Sequence, residues 1–221
     1  MNARPGRGLS GKRGTEESSA ANGVRLRRVN RWLAEDMRED LAELYAECCA
    51  TPPSEAFRSR SRLDFLSRLS GATRRPGFAL VIAETMDLAG CAFGFPVRSD
   101  DFWWHGFDGA LPRSVEQLTD SGSVFAISQL LVRPRAQESE VAHRLQERIL
   151  ADHQASLGVT LVAQDDGPAL EALRSWGWQD LGEIWRLAGP TVFRVLVLPV
   201  GERTNRRLEG LARHTWTRWP G

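Results

Sequence analysis

Apolar residues recur along the chain with two different periods, which predicts a succession of strands and helices. Residues 124–132 form an almost continuous apolar run that predicts a buried strand, and Pro134 ends it because proline lacks the N–H that a β-ladder needs. Beyond this break, Val141, Leu145 and Ile149 lie four residues apart, as on one face of a helix. A strand, a tight turn and a helix N-terminus in this order can hold an anion, since free N–H groups and the helix dipole point to one place.

The rest of the pattern predicts one compact domain over residues 24–200. We predict further strands at residues 24–29, 78–84, 91–97, 159–163, 181–186 and 191–198, and further helices at residues 32–49, 60–69, 113–118 and 168–176. The last strand is apolar on both faces, which is typical of a central strand and leaves open an edge that pairs with a second subunit. Residues 1–23 and 201–221 lack periodicity, so we expect a disordered N-terminal segment and a C-terminal tail with at most a short helix.

The start of the helix after residues 124–132 resembles the acyl-CoA motif of the GNAT superfamily of N-acetyltransferases. In that family, the helix after a central strand opens with Gln or Arg, two residues, Gly, one residue, and then Gly or Ala. Gln137 and Ala142 occupy the first and last of these positions. Glu140 stands where the family has glycine, so the motif is partly degenerate, and a carboxylate there adds bulk and negative charge beside a phosphate.

A second stretch, residues 166–178, also resembles the GNAT family. The positions in register with the family pattern are Asp166, Ala169, Gly177 and Trp178. Leu173 stands where many members have the tyrosine that protonates the departing CoA thiolate, and leucine has no proton to give. The tryptophan-rich phrases at residues 103–112 and 174–178 resemble a group of actinobacterial members of the family.

The resemblance implies the GNAT fold, which is an α/β (α+β) fold with a central mixed, mostly antiparallel, splayed β-sheet flanked by about four helices. It also implies acetyl-CoA as co-substrate, whose pantetheine arm pairs with the strand edge exposed by the splay. The residues that the resemblance assigns to pantetheine are Leu130, Leu131 and Val132, and those assigned to the phosphate end of CoA are Gln137, Glu138, Ser139, Glu140, Val141 and Ala142. Asp166 is also expected to bind the cofactor.

Acetyl transfer to an amine needs a group that deprotonates the amine, and the sequence does not single one out. Many GNAT members have a glutamate on the central strand, where this chain has Gln129, which cannot take a proton. A water relayed by another side chain is the alternative, and His105, Asp108, Glu116 and Glu84 are the candidates. Each of them also fits an ordinary surface or structural residue, so the catalytic residues stay unassigned.

A tryptophan-rich loop, residues 100–108, lies between the predicted hairpin and the strand at residues 124–132. In the GNAT fold this connection is near the acceptor side, so one interpretation is an aromatic wall for an apolar or cationic acceptor. The other interpretation is a hydrophobic patch that covers the sheet edge or contacts a second subunit. Both interpretations remain open at the level of sequence.

Composition narrows the classes of partner. The net charge of +1 gives no reason to expect nucleic acid as a partner, and no apolar run reaches the ~18 residues of a membrane span. The first residues lack the apolar core of a signal peptide, so we expect a cytoplasmic protein. Cys48, Cys49 and Cys91 do not form a disulfide framework, and no ligand spacing predicts a metal site.

The sequence therefore predicts an acyl-CoA-dependent N-acyltransferase of GNAT type. The reaction expected is transfer of acetyl from acetyl-CoA to a primary amine of a small molecule, by direct attack in a ternary complex. A homodimer is left open, because many GNAT proteins dimerise. Three positions depart from the family pattern, namely Gln129, Glu140 and Leu173. They support a second hypothesis, which is a non-catalytic GNAT-like protein that binds CoA or serves in regulation or interaction.

Overall fold

The computed structural model describes residues 23–48, 55–134, 138–186, 192–201 and 204. The strands are β1 (Arg25–Val29), β2 (Ala79–Glu84), β3 (Leu88–Val97), β4 (Val124–Val132), β5 (Leu157–Ala163), β6 (Gln179–Trp185) and β7 (Val192–Pro199). The helices are α1 (Arg31–Asp36), α2 (Arg38–Cys48), α3 (Glu55–Thr73), α4 (Arg113–Asp120), α5 (Glu138–Asp152) and α6 (Gly167–Ser175). The N-terminal segment and nearly all of the C-terminal tail expected from the sequence lie outside the described residues.

The strands form one seven-stranded sheet in the order β1-β2-β3-β4-β5-β7-β6. Every neighbouring pair is antiparallel except β4 and β5, which are parallel, so the prediction of a mixed and mostly antiparallel sheet is confirmed. The described part of the chain has six helices, where about four were expected. The pattern over residues 32–49 divides at Met37, which leaves helical geometry with φ −87° and ψ 5°, whereas α4 corresponds to the helix predicted at residues 113–118.

The last strand, β7, is internal. It bonds to β5 along one edge and to β6 along the other. The prediction of a central strand is therefore confirmed, and the alternative in which this strand pairs with a second subunit is wrong because neither of its edges is free. The edges of the seven-stranded sheet are β1 and β6.

The core lies on both faces of the sheet. One face, the α5 face, packs against α5 and α6 through Val141, Leu145, Ile149 and Leu170. The other face has two separate covers, of which the first is formed by α1–α3 over the β1–β4 half. The second cover is formed by α4 and the tryptophan-rich loop over β4, β5 and β7. None of the helices in the described part of the chain combines the length and apolarity that crossing a bilayer requires.

Candidate active site

A slot opens in the middle of the sheet, between β4 and β5. The two strands pair only at their beginnings, where Val124, Phe125 and Ala126 face Leu157, Gly158 and Val159. Beyond that point β4 runs on to Val132 beside β3, and β5 runs on to Ala163 beside β7, without pairing with each other. The predicted splay is thus present, and it leaves two strand edges facing a gap.

A β-bulge in β4 lies where the strands part. In the β3–β4 ladder Gly94 faces Ile127 and Phe93 faces Gln129, which leaves Ser128 as the extra residue. A bulge bends its strand and increases the local twist, which turns the end of β4 away from β5. The bulge requires glycine at position 94, because a Cβ there would lie 1.8 Å from the carbonyl oxygen of Ala126.

The ladder between β3 and β4 shows which backbone groups face the slot. The N–H of Arg133 donates to the carbonyl of Ala89, at 2.9 Å, in the same register that pairs Val132 with Gly90. Bonded and non-bonded pairs alternate in an antiparallel ladder, so Leu131 directs its N–H and C=O to β3. Leu130 and Val132 direct theirs into the slot. Leu131 was one of three residues expected to bind pantetheine through the backbone, but the register directs its N–H and C=O to β3 and away from the slot.

Side-chain exposure along β4 marks the mouth of the slot. Residues 124–127 are buried, whereas Ser128 is exposed and both Gln129 and Leu130 are half-buried, although β4 is the fourth of seven strands. Gln129 lies opposite Phe93 and shares its face of the sheet, the face covered by α1–α3. Ser128 was not among the residues predicted from sequence; the only signal was a polar pair that interrupts the apolar run.

The N-terminus of α5 follows β4 after a short connection. Ser139 and Glu140 are exposed there, whereas Val141 and Ala142 are buried in the core beneath α5. The Glu140 carboxylate therefore lies in solvent, and the first N–H groups of the helix have no acceptor within the helix. Gln137, which the sequence assigned to the same phosphate site, lies outside the described residues.

The α6 helix packs on the same face of the sheet as α5. Asp166 accepts a hydrogen bond from the N–H of Ala169 (3.1 Å), so its carboxylate caps α6. The buried Gln146 of α5 accepts from Trp178 Nε1 and donates to the Trp176 carbonyl, both at 3.1 Å. These two bonds fix the end of α6 against α5. Leu173, where a tyrosine was expected, packs half-buried against this core.

The structure places the candidate bases on several separate elements. The N–H of Asp108 donates to the Glu183 carbonyl (2.9 Å) at the outer edge of β6, and β7 and β5 stand between β6 and β4. His105 and Glu116 are exposed, in the loop and on α4 respectively. Glu84 is held at the β1–β2 edge, where both its oxygens accept from Arg27 at 3.0 and 3.2 Å. Gln129 is the only one of these candidates that lies on β4.

The tryptophan-rich loop is a fixed cover of the sheet. Trp103 and Trp104 pack against the core between α4 and the sheet, and Trp104 Nε1 donates to Thr119 Oγ1 at 3.1 Å. The Arg186 guanidinium donates to the carbonyls of Phe102, Trp103 and His105 at 3.2, 2.7 and 3.4 Å. Burial lowers the pKa of Arg186. These contacts favour the structural interpretation of the loop, as a patch that covers the sheet.

Cys91 is unsuited to act as a nucleophile, and the described residues form no cluster of metal-ligating side chains. Cys91 is fully buried in β3, and burial raises the pKa of its thiol, which keeps the group neutral. Within the described ranges no three or more His, Cys, Asp or Glu residues cluster in a way that could hold a metal ion. Cys49 lies outside those ranges.

Comparison with solved structures shows the fold. One similar structure is a protein from Desulfovibrio desulfuricans assigned to the GNAT family of acetyltransferases (14% identity, TM-score 0.52), and the match covers 80% of this chain and 99% of the other. Another is an aminoglycoside 6′-acetyltransferase type Ii (11% identity, TM-score 0.53, 80% and 99% covered). A third is a protein from Pyrococcus horikoshii (12%, TM-score 0.51, 81% and 99% covered). Neither the protein-family models nor the curated proteins give a match to this chain. The chain therefore has the mixed α/β fold of GNAT acetyltransferases.

Proposed function

We propose that this chain is an acyl-CoA-dependent N-acyltransferase, which moves acetyl from acetyl-CoA to a primary amine of a small molecule in a ternary complex. The observation that carries the proposal is the slot between β4 and β5, with the backbone groups of Leu130 and Val132 directed into it. Pantetheine contains two amide groups, so it can complete the missing ladder as an added strand would.

The phosphate end of CoA would lie at the N-terminus of α5. The first-turn N–H groups of that helix and its dipole favour an anion. Glu140 stands in place of the family glycine. Because the Glu140 side chain is exposed, the backbone at the start of α5 remains accessible from the slot side. The fit therefore depends on main-chain groups of residues 138–142, which tolerate the change in side chain. We keep Asp166 as an indirect contributor, because its carboxylate caps α6.

The transfer itself forms one bond and breaks another. The neutral amine nitrogen bonds to the acetyl carbon, the carbon–sulfur bond breaks, and the proton released by the nitrogen ends on the CoA sulfur. Ser128 and Gln129 are the polar side chains of β4 at the mouth of the slot, and we assign them to orienting the amine by hydrogen bonds. Neither is a base near neutral pH, so a water molecule takes the proton from the attacking nitrogen and passes it to the sulfur.

A second candidate function is CoA binding without catalysis. Leu173 packs against the core and offers no proton to a departing thiolate, and Gln129 stands in β4 where a carboxylate would act as base. These two residues favour a protein that binds CoA as a signal or a scaffold. Turnover separates the two candidates, since both require the slot to bind CoA.

Isothermal titration of acetyl-CoA, followed by a screen of small amines for thiol release, tests the proposal. We expect micromolar binding and, with a suitable amine, release of CoA. Ser128→Ala should lower kcat by about tenfold with little change in KM for acetyl-CoA. Ser121→Ala, in an exposed turn distant from β4 pairing, is the matched control. Binding without thiol release for any amine would select the second candidate, and no binding would refute both.

A further inference from the structure

The Val132 carbonyl already has a hydrogen-bond donor in this structure. The Cys48 thiol, at the end of α2, donates to that oxygen, with a sulfur–oxygen distance of 3.2 Å. The ladder register directs the same carbonyl away from β3 and into the slot. A group of the chain itself thus occupies one of the backbone positions that an added strand would use.

A second contact holds the end of α2 at this place. Glu47, the residue before Cys48, accepts from Arg133 Nε and Nη2 at 2.5 and 3.1 Å. Arg133 directly follows Val132, so two successive residues of α2 contact two successive residues at the end of β4. Cys48 is half-buried and packs against the core under α1–α3, which limits its freedom to turn elsewhere.

We propose that Cys48 sets the affinity of the slot for the pantetheine arm, because the thiol and a pantetheine amide N–H compete for the Val132 carbonyl. This inference rests on the proposed function, since it assumes that the slot binds CoA. Cys48 acts as a positioning residue in this scheme: it bonds to the strand edge and takes no part in acetyl transfer.

The strength of the donor at position 48 decides the direction of the effect. A thiol is a weak hydrogen-bond donor, so an amide N–H can replace it at low cost. A hydroxyl is a stronger donor and would compete better for the same carbonyl. An alanine would not compete at all. The substitutions Cys48→Ser and Cys48→Ala should therefore move CoA affinity in opposite directions, although both remove the sulfur.

The test is calorimetric titration of CoA into the full-length wild-type protein, Cys48→Ala and Cys48→Ser. We expect Cys48→Ala to bind CoA about two- to fivefold more tightly than wild type, and Cys48→Ser about two- to fivefold more weakly. Adenosine 3′,5′-bisphosphate is the matched probe, because it carries the phosphate end of CoA but no pantetheine arm. Its affinity should be the same for all three proteins. Glu47→Gln, which weakens the neighbouring ion pair and leaves the carbonyl untouched, should change the CoA affinity by less than either Cys48 variant.

The outcomes separate this inference from the proposed function. If wild type binds CoA and the two Cys48 variants bind it equally, or both more weakly, the thiol does not compete and the inference is wrong. A parallel change for adenosine 3′,5′-bisphosphate would indicate a general disturbance of the fold and would also overturn it. If no variant binds CoA, the proposed function fails and the inference with it. Binding by Cys48→Ala alone would support the inference strongly.

Discussion

The two halves of β4 have opposite relations to their surroundings. In the first half, residues 124–126 pair with β3 and with β5, and their side chains are buried. In the second half, residues 129–132 have a partner on the β3 side only, and three successive side chains, at residues 128–130, are exposed or half-buried. The beginning of β4 thus contributes to the stability of the sheet, whereas its end has an edge without a neighbouring strand.

This difference shows how a central strand can carry a binding site. Buried backbone groups without partners cost about 1–3 kcal/mol each, so a gap in a sheet must be open to water or filled by a ligand. The exposure of Ser128 shows that solvent reaches the gap. The bulge and Gly94 make the change between the two halves abrupt.

The largest effect is expected from proline in the second half of β4. Leu131→Pro removes an N–H that bonds to β3 and a side chain only 5% exposed, so the free energy of unfolding should fall by about 3–5 kcal/mol. Leu130→Pro removes only an N–H that faces the slot. Its free energy of unfolding should therefore fall by about 1–2 kcal/mol, because the packing of the leucine side chain is lost. Urea unfolding of the two variants measures this difference.

The same pair of variants also reports on binding. Leu130→Pro should weaken CoA binding by about tenfold, because it removes one of the donors offered to pantetheine. Equal losses of stability in the two variants would mean that both N–H groups bond within the sheet, which contradicts the alternation that defines the slot.

The next effect concerns the boundary between the two halves. Gly94→Ala would place a Cβ 1.8 Å from the Ala126 carbonyl oxygen, so β3 and β4 must move apart and stability should fall by about 2–3 kcal/mol. Gly71→Ala in α3 is the control, since its added Cβ would have no atom within 4 Å apart from its chain neighbours and the backbone of its own helix. Alanine favours a helix, so the control should gain up to about 1 kcal/mol in urea unfolding. Similar values for both variants would show that the bulge does not depend on glycine.

A smaller effect is expected at the Gln146 side chain, whose hydrogen bonds join α5 to the end of α6. Trp178→Phe leaves the buried Gln146 oxygen without its donor, which should cost about 1–2 kcal/mol. Trp104→Phe removes a comparable bond, to Thr119, beneath the other face of the sheet. Thermal unfolding should show similar losses for both, but CoA titration should show weaker binding only for Trp178→Phe. Equal CoA affinities for the two variants would show that the hydrogen bonds of Gln146 do not affect CoA binding.

The smallest effect is expected at Glu140. Its side chain is exposed, and charge interactions across solvent are screened within about 10 Å at 0.1 M salt. Glu140→Gln should therefore change CoA affinity by less than about threefold, and Glu140→Gly should add only the loss of helix stability, about 0.5–1 kcal/mol. A gain of tenfold or more on titration of Glu140→Gln would place the carboxylate beside the phosphates.

Part of this fold follows directly from local sequence. The apolar run at residues 124–132 and Pro134 predicted β4 with its observed bounds, because burial and the missing N–H act at single positions. The central position of β7 followed from its two apolar faces. The division of the first long helix at Met37 was not predicted, since its apolar period continues through that residue.

The site depended on contacts that sequence alone does not show. The bulge at Ser128 requires Gly94 of β3, more than thirty positions earlier in the chain, to lie opposite it. Likewise, Asp108 belongs to a loop near β4 in sequence, but its pairing with β6 removes it from the slot. The bond from Cys48 to Val132 joins two residues 84 positions apart, and no periodicity connects them.

Residue-resolved amide hydrogen exchange, with and without CoA, tests the central claim most directly. Without CoA, the Leu131 N–H should exchange slowly, whereas the Leu130 and Val132 N–H groups should exchange rapidly, because only the former bonds to β3. With CoA, Leu130 and Val132 should become protected and Leu131 should change little. Equal protection of all three amides without CoA, or no added protection at Leu130 and Val132 when CoA is bound, would contradict the account.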